Sequence, residues 1–185
     1  MVHEFPCGTR ALDFIGTLRA RRIDEPFDFL TSPEALDAWF DESGLVPGGV
    51  GATESDLASA IELREAAYAL IWSRLHDRPM PPEAIDLVNA YAAKPPVRIQ
   101  LGSDRWTAAG DAEQALSQLA RETIEIAGGD ETHLLRECGR DICTQIYLDH
   151  SRGRRREWCS MSSCGSRMKA KAYRERKKAQ AGTES

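Results

Sequence analysis

Apolar residues in the first 130 positions recur mainly every three or four residues, the spacing that places them on one face of a helix. The longest such segment starts at Thr53-Glu54-Ser55-Asp56, a sequence typical of a capping box with aspartate in the usual glutamate position, and continues to Leu75. Further helices are predicted over the segments 11–18, 32–44, 82–94 and 111–126, which are bounded by Ser, Pro or Gly. We therefore expect a mainly helical first part.

One segment of the helical part has the two-residue alternation of a β-strand. Apolar and polar residues alternate over 97–101, the Gly-Ser-Asp sequence of 102–104 is typical of a turn, and a second short strand is predicted over 105–107. This pattern predicts a small β-hairpin before the last helix of the first part.

Arg64 lies on the apolar stripe of the longest predicted helix. An unpaired guanidinium in such a position is costly, so the side chain needs a partner or must reach solvent. One interpretation is a structural ion pair, with Asp13 as the candidate partner, or a side chain that snorkels to the surface. The alternative is a ligand contact, in which Asp13 and Arg64 line a pocket for a small-molecule effector in the helical part.

Four of the five cysteines lie close together in the last third of the chain. Cys138 and Cys143 are separated by four residues, fifteen residues follow, and Cys159 and Cys164 repeat the four-residue gap. Two such pairs of thiolates suit the tetrahedral coordination of zinc, and four cysteines leave no open position for water or substrate. We predict one structural Zn²⁺ held by these four residues, with Cys7 as a leftover buried thiol.

The zinc region has its own predicted elements. Residues 146–148 and 157–158 are predicted to form two short strands joined by Ser151-Arg152-Gly153, and a helix is predicted from Ser160 to about Lys178. The first cysteine pair forms a knuckle, a hairpin follows it, and a helix then supplies the last ligand. This order resembles that of a treble-clef zinc finger. The expected fold is mainly α with a small β-hairpin and a C-terminal treble-clef-like four-cysteine zinc finger.

The chain is expected to consist of two domains, a helical domain over 1–130 and the finger with its basic helix over 131–180. At 185 residues its length fits one ordinary domain or a domain with a small module, and its composition is that of a globular protein. We expect the helical domain to remain folded when residues 131–185 are deleted.

Charge divides the chain at Cys138. Residues 138–178 contain 12 Lys and Arg against 4 Asp and Glu, a local balance of +8, whereas the whole chain carries −5 and the remainder therefore −13. A basic segment of this kind favours an anionic polymer such as DNA, although it is also compatible with docking on the acidic part of the same chain or of a partner. The candidate DNA-binding residues are Arg152, Arg154, Arg155, Arg156, Arg167, Lys169, Lys171, Arg174 and Lys178.

Several functional classes are not supported by the sequence. No uncharged apolar stretch is long enough to span a membrane, and the first residues lack the layout of a secretory signal, so we expect a cytoplasmic protein without a membrane partner. Signatures of hydrolases, metalloproteases, dinucleotide-binding enzymes and P-loop proteins are missing, and the four histidines are scattered. We expect no enzymatic activity.

Residues 155–167, Arg-Arg-Glu-Trp-Cys-Ser-Met-Ser-Ser-Cys-Gly-Ser-Arg, resemble the signature of the CGNR zinc finger family, R-R-x-W-C-S-M-x-x-C-G-N-R. The upstream Cys138-x4-Cys143 pair and the segment 147–152 also fit this family. The acidic part, through the segments 11–18 and 62–66, resembles the ABATE domain that precedes this finger in bacterial proteins. Two positions depart from the pattern, because Ser166 and Gly16 stand where the family usually has asparagine.

The resemblance implies a bacterial stress-related transcription regulator. By position, its zinc ligands are Cys138, Cys143, Cys159 and Cys164, its finger binds DNA, and its helical domain serves sensing or assembly. Since a single finger reads few bases, we expect a homodimer at a specific site. The alternative is a small-molecule-binding or protein-interaction protein in which the finger is purely structural.

Overall fold

The computed structural model describes residues 3–181. The helices of this part are α1 (Arg10–Ile15), α2 (Pro33–Glu42), α3 (Glu54–Leu75), α4 (Pro82–Ala92), α5 (Ala112–Gly128) and α6 (Ser166–Ala181). A 3-10 helix over Asp130–Leu134 follows α5, and one π-helical turn over Met161–Gly165 leads directly into α6. The strands are β1 (Leu18–Arg19), β2 (Phe27–Asp28), β3 (Arg98–Leu101), β4 (Trp106–Ala109), β5 (Leu135–Glu137) and β6 (Ile146–Leu148).

The two longest helices of the first part begin at capping boxes. At the start of α3, the Asp56 N–H donates to Thr53 Oγ1 at 3.3 Å and the Thr53 N–H donates to the Asp56 carboxylate at 2.9 Å, as predicted. A second box, not predicted from the sequence, joins Asp111 and Gln114 at the start of α5. These reciprocal bonds satisfy backbone donors that have no partner inside the helix.

Two hydrophobic clusters lie on either side of α3. The first contains the buried faces of α2, α4 and α5, with Trp39, Leu63 and Leu116 almost fully buried. The second contains α1, Ile71 of α3, the end of α5, strands β5 and β6, and the four clustered cysteines. The longest helix is therefore covered on two faces, and the second cluster continues across residue 130, where the sequence suggested a domain boundary.

The strands form three antiparallel pairs, β1–β2, β3–β4 and β5–β6. The β3–β4 hairpin confirms the one predicted around 102–104, with Leu101 opposite Trp106. The predicted pairing of residues 146–148 with 157–158 is wrong, because β6 pairs with β5. The turn over Cys138–Cys143 brings β5 next to β6. The side chains of Leu135, Ile146 and Leu148 are buried in the second cluster.

The fold is mainly α with small antiparallel sheets, as the sequence predicted. Within the described residues 3–181, no helix combines the length and the hydropathy that crossing a bilayer requires.

Candidate metal centre and its basic surface

The four clustered cysteines meet at the edge of the second hydrophobic cluster. Cys138 follows β5, Cys143 precedes β6, and Cys164 lies in the π-helical turn before α6. All four are buried, and their sulfur atoms, including that of Cys159, lie within 4.8 Å of one another. The Sγ atoms of Cys143 and Cys159 are 3.9 Å apart.

This spacing fits a zinc ion. Four thiolates at about 2.3 Å from Zn²⁺ place their sulfur atoms about 3.8 Å from one another in a tetrahedron. Hydrogen bonding with Cys143 and Cys159 lowers the pKa of Cys138, whereas hydrogen bonding with Cys138 raises the pKa of both partners. A zinc ion binds a cluster of this kind through deprotonated sulfur atoms. The chain therefore carries one structural zinc ion.

Local backbone turns bring the ligands to the metal centre. The Cys143 N–H donates to the Arg140 carbonyl at 2.7 Å, which closes the first turn. Ser160 caps the second turn by accepting from the Ser163 N–H at 3.3 Å, as the sequence predicted for this helix start. A Cβ atom at Gly165 would lie 3.0 Å from Met161 Sδ, so glycine leaves room for that side chain over the turn.

Arg156 holds the finger together and does not belong to the exposed basic surface. Its guanidinium donates to the carbonyl oxygens of Trp158 at 2.8 Å, Pro6 at 2.7 Å and Cys159. The same group lies 4.3 Å above the ring of Tyr147, a cation–π contact. Because these donors are directed to backbone carbonyls, the structure gives Arg156 a role inside the finger rather than on its exposed surface.

Asp149 organises the loop that carries three other arginines, a role that the sequence analysis missed. Its buried carboxylate accepts from the Ser151 N–H at 2.9 Å and the Arg156 N–H at 3.1 Å. The Ser151 side chain and then these N–H groups lower the pKa of Asp149, although burial opposes them. The sequence signal that could have identified it is an aspartate two residues before a serine at a strand end, typical of an Asx turn.

The remaining predicted DNA-binding residues are all exposed. They occupy the loop after β6 and the length of α6, and none takes part in the ion pairs found within residues 3–181. We call them the basic surface, which consists of Arg152, Arg154, Arg155, Arg167, Lys169, Lys171, Arg174 and Lys178.

Arg64 forms a buried ion pair, but its partner is not Asp13. Although its side chain is only 2% exposed, both terminal nitrogens donate to the Asp28 carboxylate, at 2.6 and 2.8 Å, and Nε donates to Glu65 at 2.9 Å. Burial alone would raise the pKa of Asp28, but the hydrogen bonds from Arg64 lower it on balance. The ion-pair interpretation is confirmed with a different acid, because the β1–β2 hairpin brings Asp28 against α3.

Asp13 instead faces a cavity between the helical part and the finger. Its carboxylate accepts from the Cys7 N–H at 2.8 Å. Burial raises the pKa of Asp13 to about 6, although the hydrogen bonds from Cys7 and the charges of Arg19 and Arg156 oppose this. Asp13 lines the cavity, whereas Arg64 does not, so the two residues do not form the predicted common pocket.

Two family models match the chain. The ABATE model, described as "Putative stress-induced transcription regulator", matches residues 8–130. The CGNR zinc finger model matches residues 135–177, which include the four cysteines. No curated protein matches the chain.

Proposed function

The chain belongs to the ABATE family and carries a CGNR zinc finger, and from this premise we propose that it is a zinc-dependent, DNA-binding transcription regulator. In this proposal the finger grips DNA and the helical part serves sensing or assembly. No catalytic step is assigned to it. A regulator of this kind acts in the bacterial cytoplasm, where the DNA is.

The observation that carries the proposal is the basic surface, eight exposed side chains without an acidic partner within residues 3–181. Unpaired surface cations repel one another. Their concentration on one small module therefore favours the binding of a polyanion, which reduces this repulsion. Each phosphate that they neutralise releases counterions from the duplex, which gives binding that is strong at low salt and largely independent of sequence.

The shape of the basic surface suits a duplex. Helix α6 has 16 residues and is therefore about 24 Å long, which is enough to lie along or in a major groove. Arg167, Lys171, Arg174 and Lys178 follow one another at steps of four, three and four, which places them along one stripe of α6. The loop 152–155 adds a second group of cations, held in place by Asp149 and Ser151.

The negative charge of the rest of the chain would orient the protein on DNA. Residues outside 138–178 carry −13, so phosphates repel the helical part while they attract the finger. The helical part is thereby free for an effector or for a second copy of the chain, and dimerisation would let two fingers contact a longer site.

The experiment that tests the proposal is DNA binding by the full-length, zinc-loaded protein across a salt series. Random duplexes of about 30 base pairs and fragments of the source genome serve as probes, with fluorescence anisotropy as the readout. We expect affinity to fall steeply between about 50 and 200 mM salt, and particular genomic fragments to be enriched if the protein reads a specific site. An absence of binding at low salt would remove DNA from the proposal.

The exposed face of the β3–β4 hairpin favours protein interaction as a second role. Ile99 is 67% exposed, Leu101 is 88% exposed and Trp106 is 54% exposed. Ile99 and Leu101 lie two positions apart on β3, and Trp106 is opposite Leu101, so the three side chains share one face. Failure to bind DNA, together with self-association that Trp106→Ser abolishes, would favour this role and leave the finger purely structural.

A further inference from the structure

The β3–β4 hairpin is almost fully exposed. All four residues of β3 are exposed, and on β4 only Ala108 is half-buried. A hairpin of two strands is marginally stable in water by itself and gains stability from further strands that extend its apolar face. Within residues 3–181 no third strand pairs with this hairpin, so both of its edges are open to a partner.

The open edge of β3 consists of the backbone groups of Ile99 and Leu101. At the end of the hairpin the Gly102 N–H donates to the Arg105 carbonyl at 2.9 Å, and opposite residues of an antiparallel pair alternate between bonded and non-bonded from there. Gln100 therefore bonds across to β4, whereas Ile99 and Leu101 direct their N–H and C=O groups outward. In the described part of the chain, no backbone group outside the hairpin bonds to either residue.

This open edge is complementary to itself. We propose that two copies of the chain pair through β3, edge to edge and antiparallel, into a four-stranded sheet of order β4–β3–β3–β4. With the two-fold axis at Gln100, Ile99 of each copy lies opposite Leu101 of the second copy. Both residues have outward backbone groups, so the two pairs form four hydrogen bonds. A shift by one residue would place Ile99 opposite Gln100 and would lose this match.

The same register continues the apolar face of the hairpin. The 88% exposed Leu101 lies beside Trp106 on its own hairpin and gains Ile99 of the second copy on its open side. Each half of the sheet therefore has a row of apolar side chains that crosses all four strands. Cross-strand contacts of this kind are the main source of stability between neighbouring strands.

Charge does not oppose the pairing. The apolar face has no ionisable side chain, since it consists of Ile99, Leu101, Trp106 and Ala108. Arg98 is the only charged residue of β3 and lies on the other face, opposite Gly102 of the second copy. The two Arg98 residues are then four positions apart along the strands, about 13 Å, so no like charges face each other. An edge of this kind accepts a second copy without a change of sequence.

Sedimentation velocity of the full-length zinc-loaded protein over about 1–300 μM tests the pairing. We expect monomer at the low end and dimer at the high end, because the interface is small. Leu101→Lys places a cation at the edge and should raise the dissociation constant at least tenfold, whereas Leu101→Val should change it little. Thr107→Lys adds the same charge at an exposed position of β4 on the polar face and is the matched control.

A single introduced cysteine tests the register. Gln100 lies opposite Gln100 of the second copy as a non-bonded pair, with Cα atoms about 4.5 Å apart, a distance that a disulfide can bridge. Gln100→Cys should therefore give a covalent dimer under mild oxidation, whereas Arg98→Cys should not. The wild-type protein, treated in the same way, controls for the five native cysteines. Zinc content and circular dichroism confirm that each variant is folded.

Monomer at every concentration, or an equal effect of Leu101→Lys and Thr107→Lys, would overturn the proposal. A dimer that Gln100→Cys does not link, or that Arg98→Cys links, would overturn the pairing at β3. The pairing itself does not depend on DNA, but its consequence, two fingers on one duplex, rests on the proposed function. Leu101→Lys should therefore weaken DNA binding although it leaves the finger intact. If the wild type binds no DNA, the proposed function fails while the sedimentation and cross-linking results still decide the pairing.

Discussion

The side chain of Gln145 donates from Nε2 to the carbonyl oxygen of Gly16 at 2.7 Å and links two positions 129 residues apart. Its Oε1 accepts from the buried Cys7 thiol at 3.1 Å. A Cβ atom at position 16 would lie 2.1 Å from that Oε1, so only glycine allows this approach. Gly16, where the family pattern has asparagine, thus has a packing role at the junction of the helical part and the finger.

We expect Gly16→Ala to lower the free energy of unfolding by about 1–3 kcal/mol, as overpacking of a buried site usually does. Gln145→Ala should relieve the clash. The double variant should therefore lose less unfolding free energy than the sum of the losses in the two single variants. Chemical denaturation of the four proteins measures this coupling. The control is Gly128→Ala at the end of α5, where a Cβ meets nothing within 4 Å and stability should not fall. Strict additivity would contradict the role assigned to the contact.

Cys159→Ser should abolish zinc binding, whereas Cys7→Ser should retain one zinc per chain, because Cys7 lies outside the four-sulfur cluster. Since the metal cluster is part of the second hydrophobic cluster, zinc loss should also loosen α1 and the adjacent face of α3. Elemental analysis gives the zinc content, and hydrogen exchange measures protection in both helices. Zinc retained by Cys159→Ser would disprove the ligand set, and unchanged protection would show that the finger unfolds alone.

Replacing Arg152, Arg154 and Arg155 with Gln should weaken DNA binding and leave the melting temperature unchanged, because these side chains are exposed. For each phosphate that the variant no longer neutralises, the slope of log K against log salt should decrease in magnitude by about 0.9. The matched control replaces three exposed arginines outside the finger, Arg78, Arg98 and Arg105, with Gln. An equal loss of affinity in the control would assign the effect to net charge rather than to the loop.

Arg156→Gln should behave in the opposite way to the loop arginines. Since the Arg156 guanidinium is held by backbone carbonyls, including that of Pro6, its removal should lower the melting temperature and detach the N-terminal segment from the finger. Thermal unfolding monitored together with DNA affinity separates the two roles. A variant that melts like the wild type but has lost DNA affinity would return Arg156 to the basic surface.

The buried carboxyl of Asp13 predicts a pH-dependent difference in stability. Its pKa is raised to about 6 from about 3.9 in an unfolded chain, so burying the charge above pH 6 costs the folded state about 3 kcal/mol. This cost falls as the pH decreases from about 6 towards about 4. Asp13→Asn removes the charge and should therefore be the more stable protein at about pH 7.5, with a smaller advantage at about pH 5.

The comparison with Asp13→Asn isolates this carboxyl, because both proteins carry the same zinc ligands and lose the metal alike in acid. The groups that act on Asp13 are Cys7, Arg19 and Arg156, none of which changes in the variant. Urea denaturation at about pH 7.5, 6 and 5 gives the difference in unfolding free energy. A difference that stays constant over this range would contradict the raised pKa.

Deleting residues 131–185 is now expected to destabilise the helical part, in contrast to the expectation from the sequence. The deletion exposes Leu12, Ile15 and Ile71, which are at most 2% exposed in the full chain. Circular dichroism with a hydrophobic dye should show a lower melting temperature and increased dye binding. A truncated chain with native stability and no dye binding would show that the helical part folds on its own.

Local sequence patterns were sufficient to predict much of the fold and the four metal ligands. Helices α2, α3 and α4, the β3–β4 hairpin and the helix start at Ser160 follow from residues that are close in sequence, and the spacing of the cysteines identifies the four metal ligands. The β5–β6 pairing was missed because the three residues of β5 are too few to show a strand pattern.

Long-range contacts account for the rest, since the partner of a buried charge and the exposure of a cation depend on segments far away in the chain. The sequence marks Arg64 as a cation on an apolar stripe that needs a partner or must reach solvent, and the β1–β2 hairpin supplies Asp28 rather than Asp13 as that partner. It marks Arg156 as one more basic residue, yet packing against Pro6 and Tyr147 turns that cation inward. Hydrophobic spacing and metal-ligand chemistry act locally and can be recognised in the sequence, whereas the pairing of charges follows from which surfaces the folded chain brings into contact.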